Sequence, residues 1–347
     1  MTERSDAPPE ASFAEMRAVM ARLPGPDVAA RTRARLRQDG LVKPPGSLGR
    51  LEEIVDWLAA WQGREHPRCD RPRVCVFAGA HGVAARGVSA FPPDVTATMV
   101  RTFIDGGAAI NQITGAIDGD LRVYEMDLDH PVADFTAGPA MDEGRCARAM
   151  AYGMMAAETG IDVLCLGEMG IGNTTSAAAL CHALFGGDAA DWVGPGTGVK
   201  GEALARKVET VRLGVGRHRG LTGDPLAILA ALGGEELAAI CGAIVAARMG
   251  RIPVLLDGYA CTAAAAVLHA IDDRALDHCL VAHRSAEPAH AALCAKLSKR
   301  PLLDLDMRLG EASGAALAVS VVKIAVACFA GMATLEQREI RPVGPSR

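Results

Sequence analysis

Six short runs rich in β-branched and apolar residues constrain this chain most: RVCVFAGAHG, LRVYEMDLDH, DVLCLGEMGIG, DWVGPGTG, RIPVLLDGYA and HCLVAHRSAE. Each closes in a polar or glycine-rich turn and is followed by a stretch with helical periodicity. Runs this apolar, without alternation, belong to strands buried on both faces, and strands separated by helices of this length pair in parallel. The pattern therefore predicts an α/β fold, an open, doubly wound, mainly parallel sheet with helices on both sides.

The two ends of the chain are different. From Phe13 to about Trp61 the pattern is helical, broken at LPGPD and at the Pro44, Pro45, Gly46 turn, and HPRCDRP then serves as a linker. After PLLDLDMRLGE the chain returns to helix. These ends predict a small helical domain from residues 1–68 with 306–347, packed beside a large α/β substrate-binding domain over 69–305. The 347 residues suit that division, since a domain takes roughly 150 residues.

One segment, ASGAALAVSVVKIAVACFAGMATL, is long and apolar, but Lys323 interrupts it and small residues dominate its start, which predicts a buried helix and no membrane partner. The first residues, MTERSDAPPEASF, lack the apolar core of a secretory signal. Ten cysteines are scattered singly, without disulfide or zinc-site spacing, as in a reduced cytoplasmic protein. The net charge of −5 and the lack of a basic block with interleaved aromatics argue against nucleic acid. A small-molecule partner is expected.

In open α/β sheets ligands bind beyond the carboxyl ends of the strands. The residues there are His81, Asp127, Glu168, Gly196, Asp257 and His283. The stretch GEMGIGNTTSAAAL follows a strand and opens a helix: Gly170 and Gly172 let the backbone turn close to a ligand, Asn173 is a natural N-cap, and Thr174, Thr175 and Ser176 add hydroxyls beside free N–H groups. That suits an anion such as a phosphate, or else a glycine-packed capped helix. It is neither a Walker A loop nor a complete dinucleotide fingerprint. A second loop, GPGTGVKGEALARKV, follows the next expected strand and offers Gly196, Thr197 and Gly198, with Lys207 placed to reach back to a phosphate or to lie solvated on its helix. His81 and His283 either face the cleft or satisfy local hydrogen bonds, and the histidine spacings match no metal motif. Asp257 reads as a helix cap or ribose ligand. Glu311, between glycine and small residues in MRLGEASGAALA, is either a desolvated general base or a helix-start carboxylate facing the dipole.

Taken together, KPPGSLGRLE, HGVAARGVS, GEMGIGNTTSAAAL, PVLLDGY, the SAE after His283 and MRLGEASGAALA resemble the nicotinate-nucleotide:dimethylbenzimidazole phosphoribosyltransferase family over nearly the whole chain. The resemblance implies transfer of phosphoribose from nicotinate mononucleotide to 5,6-dimethylbenzimidazole, giving α-ribazole 5′-phosphate, on a homodimer with a large Rossmann-like domain and a small helical one. It implies Glu311 as the base, and phosphate and ribose contacts from Glu168, Asn173 to Thr175 and Lys207. Met169 and Leu309 would border the benzimidazole, with His81 and the glycine loops as further substrate contacts. The leaving group departs from a pyridinium, so no metal or cofactor is implied. The competing readings are a nucleotide-dependent Rossmann oxidoreductase and a nucleotide-binding protein without turnover.

Overall fold

The structure, a computed structural model, describes residues 11–340. The outermost parts of the expected small helical domain, 1–10 and 341–347, lie outside the described residues, as does most of the polar N-terminal stretch. Five parallel strands form one sheet in the order β2-β1-β3-β4-β5: β1 Pro72–Ala78, β2 Asp120–Glu125, β3 Val163–Met169, β4 Val254–Leu256 and β5 Cys279–Val281. The chain enters it through α1 (Phe13–Met20), α2 (Val28–Asp39) and α3 (Arg50–Gln62). Between β1 and β2 lie α4 (Val95–Ile104) and α5 (Ala109–Ala116), and α6 (Glu143–Met154) leads to β3. The long crossover to β4 carries α7 (Asn173–Phe185), α8 (Ala189–Trp192), α9 (Gly201–Arg217), α10 (Pro225–Leu232) and α11 (Glu235–Met249). Then α12 (Tyr259–Ile271) joins β4 to β5, and α13 (Ala289–Lys296) and α14 (Ser313–Gly331) follow.

Strand residues alternate between two cores, as a period of two requires. Cys75, Phe77, Leu164, Leu166, Val254 and Leu256 face a core shared with α6, α7, α10, α11 and α12. Val74, Val76, Val163, Cys165 and Leu255 face the other, shared with α3, α5 and α14. β1 is buried along its whole length, whereas the edge strand β2 is only half-buried and carries Asp120 and Arg122, charges that discourage further pairing. On the first face, α11 is buried almost all round and lies backbone to backbone on α6. A Cβ added at Gly153 would lie 1.9 Å from the Ala239 carbonyl oxygen, and one at Gly242 would lie 1.8 Å from that of Met150.

The expected strand in DWVGPGTG is absent. Asp188 and Asp191 form a capping box around the single turn of α8, and the chain then bends through Pro195 with Gly196 and Gly198 both at positive φ. Neither the proline nor those backbone angles fit a strand ladder. The apolar segment after Glu311 is α14, whose inner face, including Ala315, Val319, Val322 and Phe329, packs in the second core while Lys323 Nζ donates to the Ile117 carbonyl 2.6 Å away.

The start of α14 determines where Glu311 sits. Gly310, Glu311 and Ala312 all have positive φ, at 82°, 59° and 60°, a left-handed run that costs non-glycine residues about 1–2 kcal/mol each. It is held from both sides: Glu311 N–H donates to the Glu168 carbonyl at 3.0 Å, and Ala315 N–H donates to Asp257 Oδ1 at 3.0 Å. The turn can lie on β3 only because residue 167 has no side chain, since a Cβ there would be 2.1 Å from the Ala312 nitrogen. Gly167→Ala is therefore expected to destabilise the protein by at least about 2 kcal/mol, measured by denaturant titration. An unchanged midpoint would show that the turn is free to move.

Candidate active site

Beyond the carboxyl ends of β3, β4 and β5 lies a cavity of about 400 Å³, within the size range of small-molecule sites. One wall is apolar: Phe91, Val95 and Met99, spaced four apart along α4 and its lead-in, together with Met169 and Leu309. The polar part of the lining comprises Thr174, Gly196, Ser285, Glu287 and Arg308. Glu168 and Glu311 lie on its lining too, with the His283 ring beside Gly258.

The acids define its electrostatics. Glu168 is pushed up to about 8, chiefly by burial and then by the negative charges of Asp257 and Glu236, with the Asn173 amide opposing. Glu311 is pushed up to about 7 by burial. Asp257 also rises to about 7, chiefly by burial, which outweighs the N–H groups of Ala315, Gly314 and Ala312, while the Glu311 charge adds to the rise. Near neutral pH these three cannot all carry a charge in one desolvated corner, and they titrate as a coupled set. His283 Nε2 is 3.6 Å from Asp257 Oδ1, too long for a hydrogen bond. Burial lowers its pKa, so the ring is neutral.

The polar wall carries both basic and acidic groups. Lys207, fully buried in α9, donates from Nζ to Thr174 Oγ1 at 2.8 Å and to the Gly194 carbonyl at 3.0 Å, just beneath Gly196. Burial lowers its pKa to about 8, with the Glu287 charge opposing. Glu287 Oε1 accepts the Gly196 N–H at 2.8 Å, and Arg308 Nη1 donates to the Gly196 carbonyl at 2.8 Å, tying this loop to the one before α14. The Ser285 N–H donates to His290 Nδ1 at 2.8 Å, so that nitrogen is unprotonated and Nε2 carries the proton, donating to Thr262 Oγ1 at 3.1 Å. A buried neutral histidine thus fixes the Ser285 backbone; burial pushes its pKa down to about 3.

Of the residues expected from the sequence, Glu168, Met169, Gly170, Asn173, Thr174, Gly196, Thr197, Leu309 and Glu311 line this one cavity. Lys207 stands directly behind the wall, while Gly172, Thr175 and Gly198 are not on the lining, and the Thr175 hydroxyl is fully buried. Asn173 is the first helical residue rather than the cap: Gly172 takes the cap position with φ 99°, and the Asn173 amide reaches back to Glu168 Oε2. His81 does not reach the cavity, because its ring turns inward to Glu236. Sequence reasoning did not single out Ser285, Glu287, Arg308 or the α4 wall. The first three lay inside stretches already noted, HRSAE and MRLGE, and Phe91, Val95 and Met99 were legible only as an ordinary apolar spacing.

Comparisons with known proteins bear on the family and the fold. A family model described as phosphoribosyltransferase matches residues 23–340. The nicotinate-nucleotide–dimethylbenzimidazole phosphoribosyltransferase of Brucella anthropi is 56% identical over 328 residues, 94% of this chain and 97% of that protein. The one from Brucella canis is 56% identical over 325 residues, 94% of this chain and 96% of its own. Among solved structures, CobT from Thermus thermophilus superposes with a TM-score of 0.85 at 40% identity, covering 91% of this chain and 100% of that one.

The raised acids have a stability consequence with a definite sign. A carboxyl moved from 4.5 to about 8 on folding contributes stability that is fully present below 4.5 and lost as the pH rises through 8. Glu168→Gln, which keeps the shape and stays neutral, should therefore match the wild-type melting temperature at pH 5 and exceed it by at least about 2 °C at pH 8.5. Thermal melts of both proteins at the two pH values check this, and equal differences at both would refute it.

Proposed function

This chain belongs to the nicotinate-nucleotide–dimethylbenzimidazole phosphoribosyltransferase family and is a phosphoribosyltransferase; from that premise we propose that it transfers the phosphoribosyl group of nicotinate mononucleotide to 5,6-dimethylbenzimidazole, with Glu311 as general base. The products are α-ribazole 5′-phosphate and nicotinate, and the reaction serves assembly of the cobalamin lower ligand. The observation that carries the reading is a carboxylate of pKa about 7 on the same cavity as an apolar wall and an anion cradle.

The donor phosphate sits against Thr174, Gly196, Ser285 and Arg308, with the Lys207 ammonium behind them supplying charge. Arginine and buried lysine favour a dianion there more than any neutral ligand. The flat acceptor lies between Met169, Leu309 and the α4 wall. One ring nitrogen attacks C1′ as the bond to the nicotinate nitrogen breaks, and that bonding pair neutralises the pyridinium as it leaves. Attack from the opposite face inverts the anomeric centre from β to α.

The other acceptor nitrogen carries a proton that would leave the product cationic, and Glu311 removes it. Glu168, with the higher pKa, keeps its proton at neutral pH and donates a hydrogen bond to the ribose. Two carboxyls of similar chemistry thus take opposite roles because burial and neighbouring charges separate them. Base catalysis of this kind contributes about 10²–10⁴ in rate, and co-alignment of two substrates in one cleft supplies much of the remainder.

We propose a cytoplasmic homodimer as the working form, without a cofactor. Ten free cysteines suit a reducing compartment. The outer face of α14, with Ile324 at 55% exposure, and the exposed Phe91 and Ile104 supply apolar surface for a second copy. Light scattering after size exclusion should give twice the 36.1 kDa chain mass; a monomer at micromolar concentration would remove that part of the proposal.

Purified protein given both substrates should yield α-ribazole phosphate. Glu311→Ala should retain donor binding by calorimetry yet turn over at least about a hundredfold more slowly. In the wild type kcat/KM should rise with pH through about 7 as Glu311 loses its proton, and Glu311→Gln should abolish that limb. Wild-type turnover in either variant would exclude Glu311 as the base.

A further inference from the structure

One buried titratable pair next to this site has no part in the chemistry above. His81 Nε2 lies 2.7 Å from Glu236 Oε1, with both side chains wholly buried. The other ring nitrogen, Nδ1, lies 3.1 Å from Ser176 Oγ, on the first turn of α7. Glu236 Oε2 has no hydrogen-bond partner among the described residues. Taking such a pair out of water is less favourable than burying apolar side chains of the same size.

Three backbone segments have given up side chains to admit it. A Cβ at Gly79 would lie 2.1 Å from Glu236 Oε2, and one at Gly234 would lie 2.3 Å from His81 Cε1. One at Gly170 would meet the Gly79 carbonyl oxygen at 2.6 Å and the His81 ring at 3.4 Å. The pair therefore joins the end of β1, the start of α11 and the loop that leads into α7. That loop carries the cavity's Gly170, and the helix turn after it carries Asn173 and Thr174.

We infer that His81 and Glu236 form a positioning unit for the transfer reaction, clamping the first turn of α7 through Ser176 so that Asn173 holds Glu168 and Thr174 meets Lys207 at the cavity wall. The inference rests on the transferase reading of the cavity. Both connections it protects are direct ones: the Asn173 amide N–H donates to Glu168 Oε2, and Thr174 Oγ1 accepts a hydrogen bond from Lys207 Nζ at 2.8 Å. Glu236 also acts on Glu168 through its charge. The groups facing Glu168 are Asp257 at the end of β4, Glu236 on α11, Glu311 before α14 and the Asn173 amide on α7. Removing the Glu236 anion lowers the pH at which Glu168 loses its proton.

Steady-state kinetics on the full-length protein with nicotinate mononucleotide and dimethylbenzimidazole test this, after circular dichroism has shown each variant folded. Ser176→Ala, which cuts the link to α7, should raise KM for the mononucleotide at least about threefold with kcat within about twofold. Glu236→Gln should move the alkaline limb of kcat/KM to lower pH by at least about half a unit. Folded variants that keep the wild-type KM and limb, beside an active wild type, would overturn the inference and leave the transferase reading intact. An inactive wild type would overturn both. Should Glu236→Gln fail to fold, KM of Ser176→Ala decides alone.

Discussion

The amino end of α14 is where the fold and the site become one problem. Asp257, at the end of β4, accepts the Ala315 N–H, and the Glu168 carbonyl, at the end of β3, accepts the Glu311 N–H. Between these two anchors the chain runs left-handed through Gly310, Glu311 and Ala312. Within the turn the only closure among the described residues is the Ser313 N–H donating to the Gly310 carbonyl at 3.0 Å. The strain is tolerated because two strand ends hold the turn and because Gly167 leaves room for the backbone above it. A carboxyl on a free loop would sample many orientations, whereas here that of Glu311 is delivered to the cavity by the sheet.

The same packing makes the acids expensive. Glu168, Asp257 and Glu311 all rise above their ordinary range because burial outweighs the N–H groups and amides that favour their charged forms. A fold selected for stability alone would place apolar residues there. Shifted carboxyls gathered at the mouth of a sheet are a common mark of a functional site, and their differing neighbours hold Glu168 above Glu311. The basic side is arranged likewise: burial lowers the pKa of Lys207, whose ammonium bonds the neutral oxygens of Thr174 and Gly194, while the Glu287 charge offsets part of that lowering.

Legibility from the sequence varied with the range of the interaction. Strand ends in HG, GEMG, LLDG and AHRS marked the cavity face because parallel sheets put ligands there. Glu311 and the GEMGIGNTT loop stood out because a carboxylate in an apolar helix start and a glycine-rich turn before hydroxyls are local signals. Asn173 is the locally favoured cap, but Gly172 takes that position and the Asn173 amide N–H donates to the Glu168 carboxyl instead. DWVGPGTG was read as a strand from its apolar start, while proline and two positive-φ glycines make it an irregular loop. His81 faced either way on local evidence, and its direction was decided by Glu236, 155 residues along the chain.

The sequence by itself determined the α/β alternation, the parallel sheet, the end of that sheet where the cavity opens and the carboxylate before α14, because each follows from periodicity, turn chemistry or the cost of an unpaired charge within a few residues. Tertiary structure alone decided which of the marked residues share a cavity, that Ser285, Glu287 and Arg308 join them, and that His81 turns away. Those outcomes depend on which distant backbones come close enough to touch. That closeness is set by side chains that are absent, at Gly79, Gly167 and Gly234, and a missing side chain acquires meaning only from what fills its place.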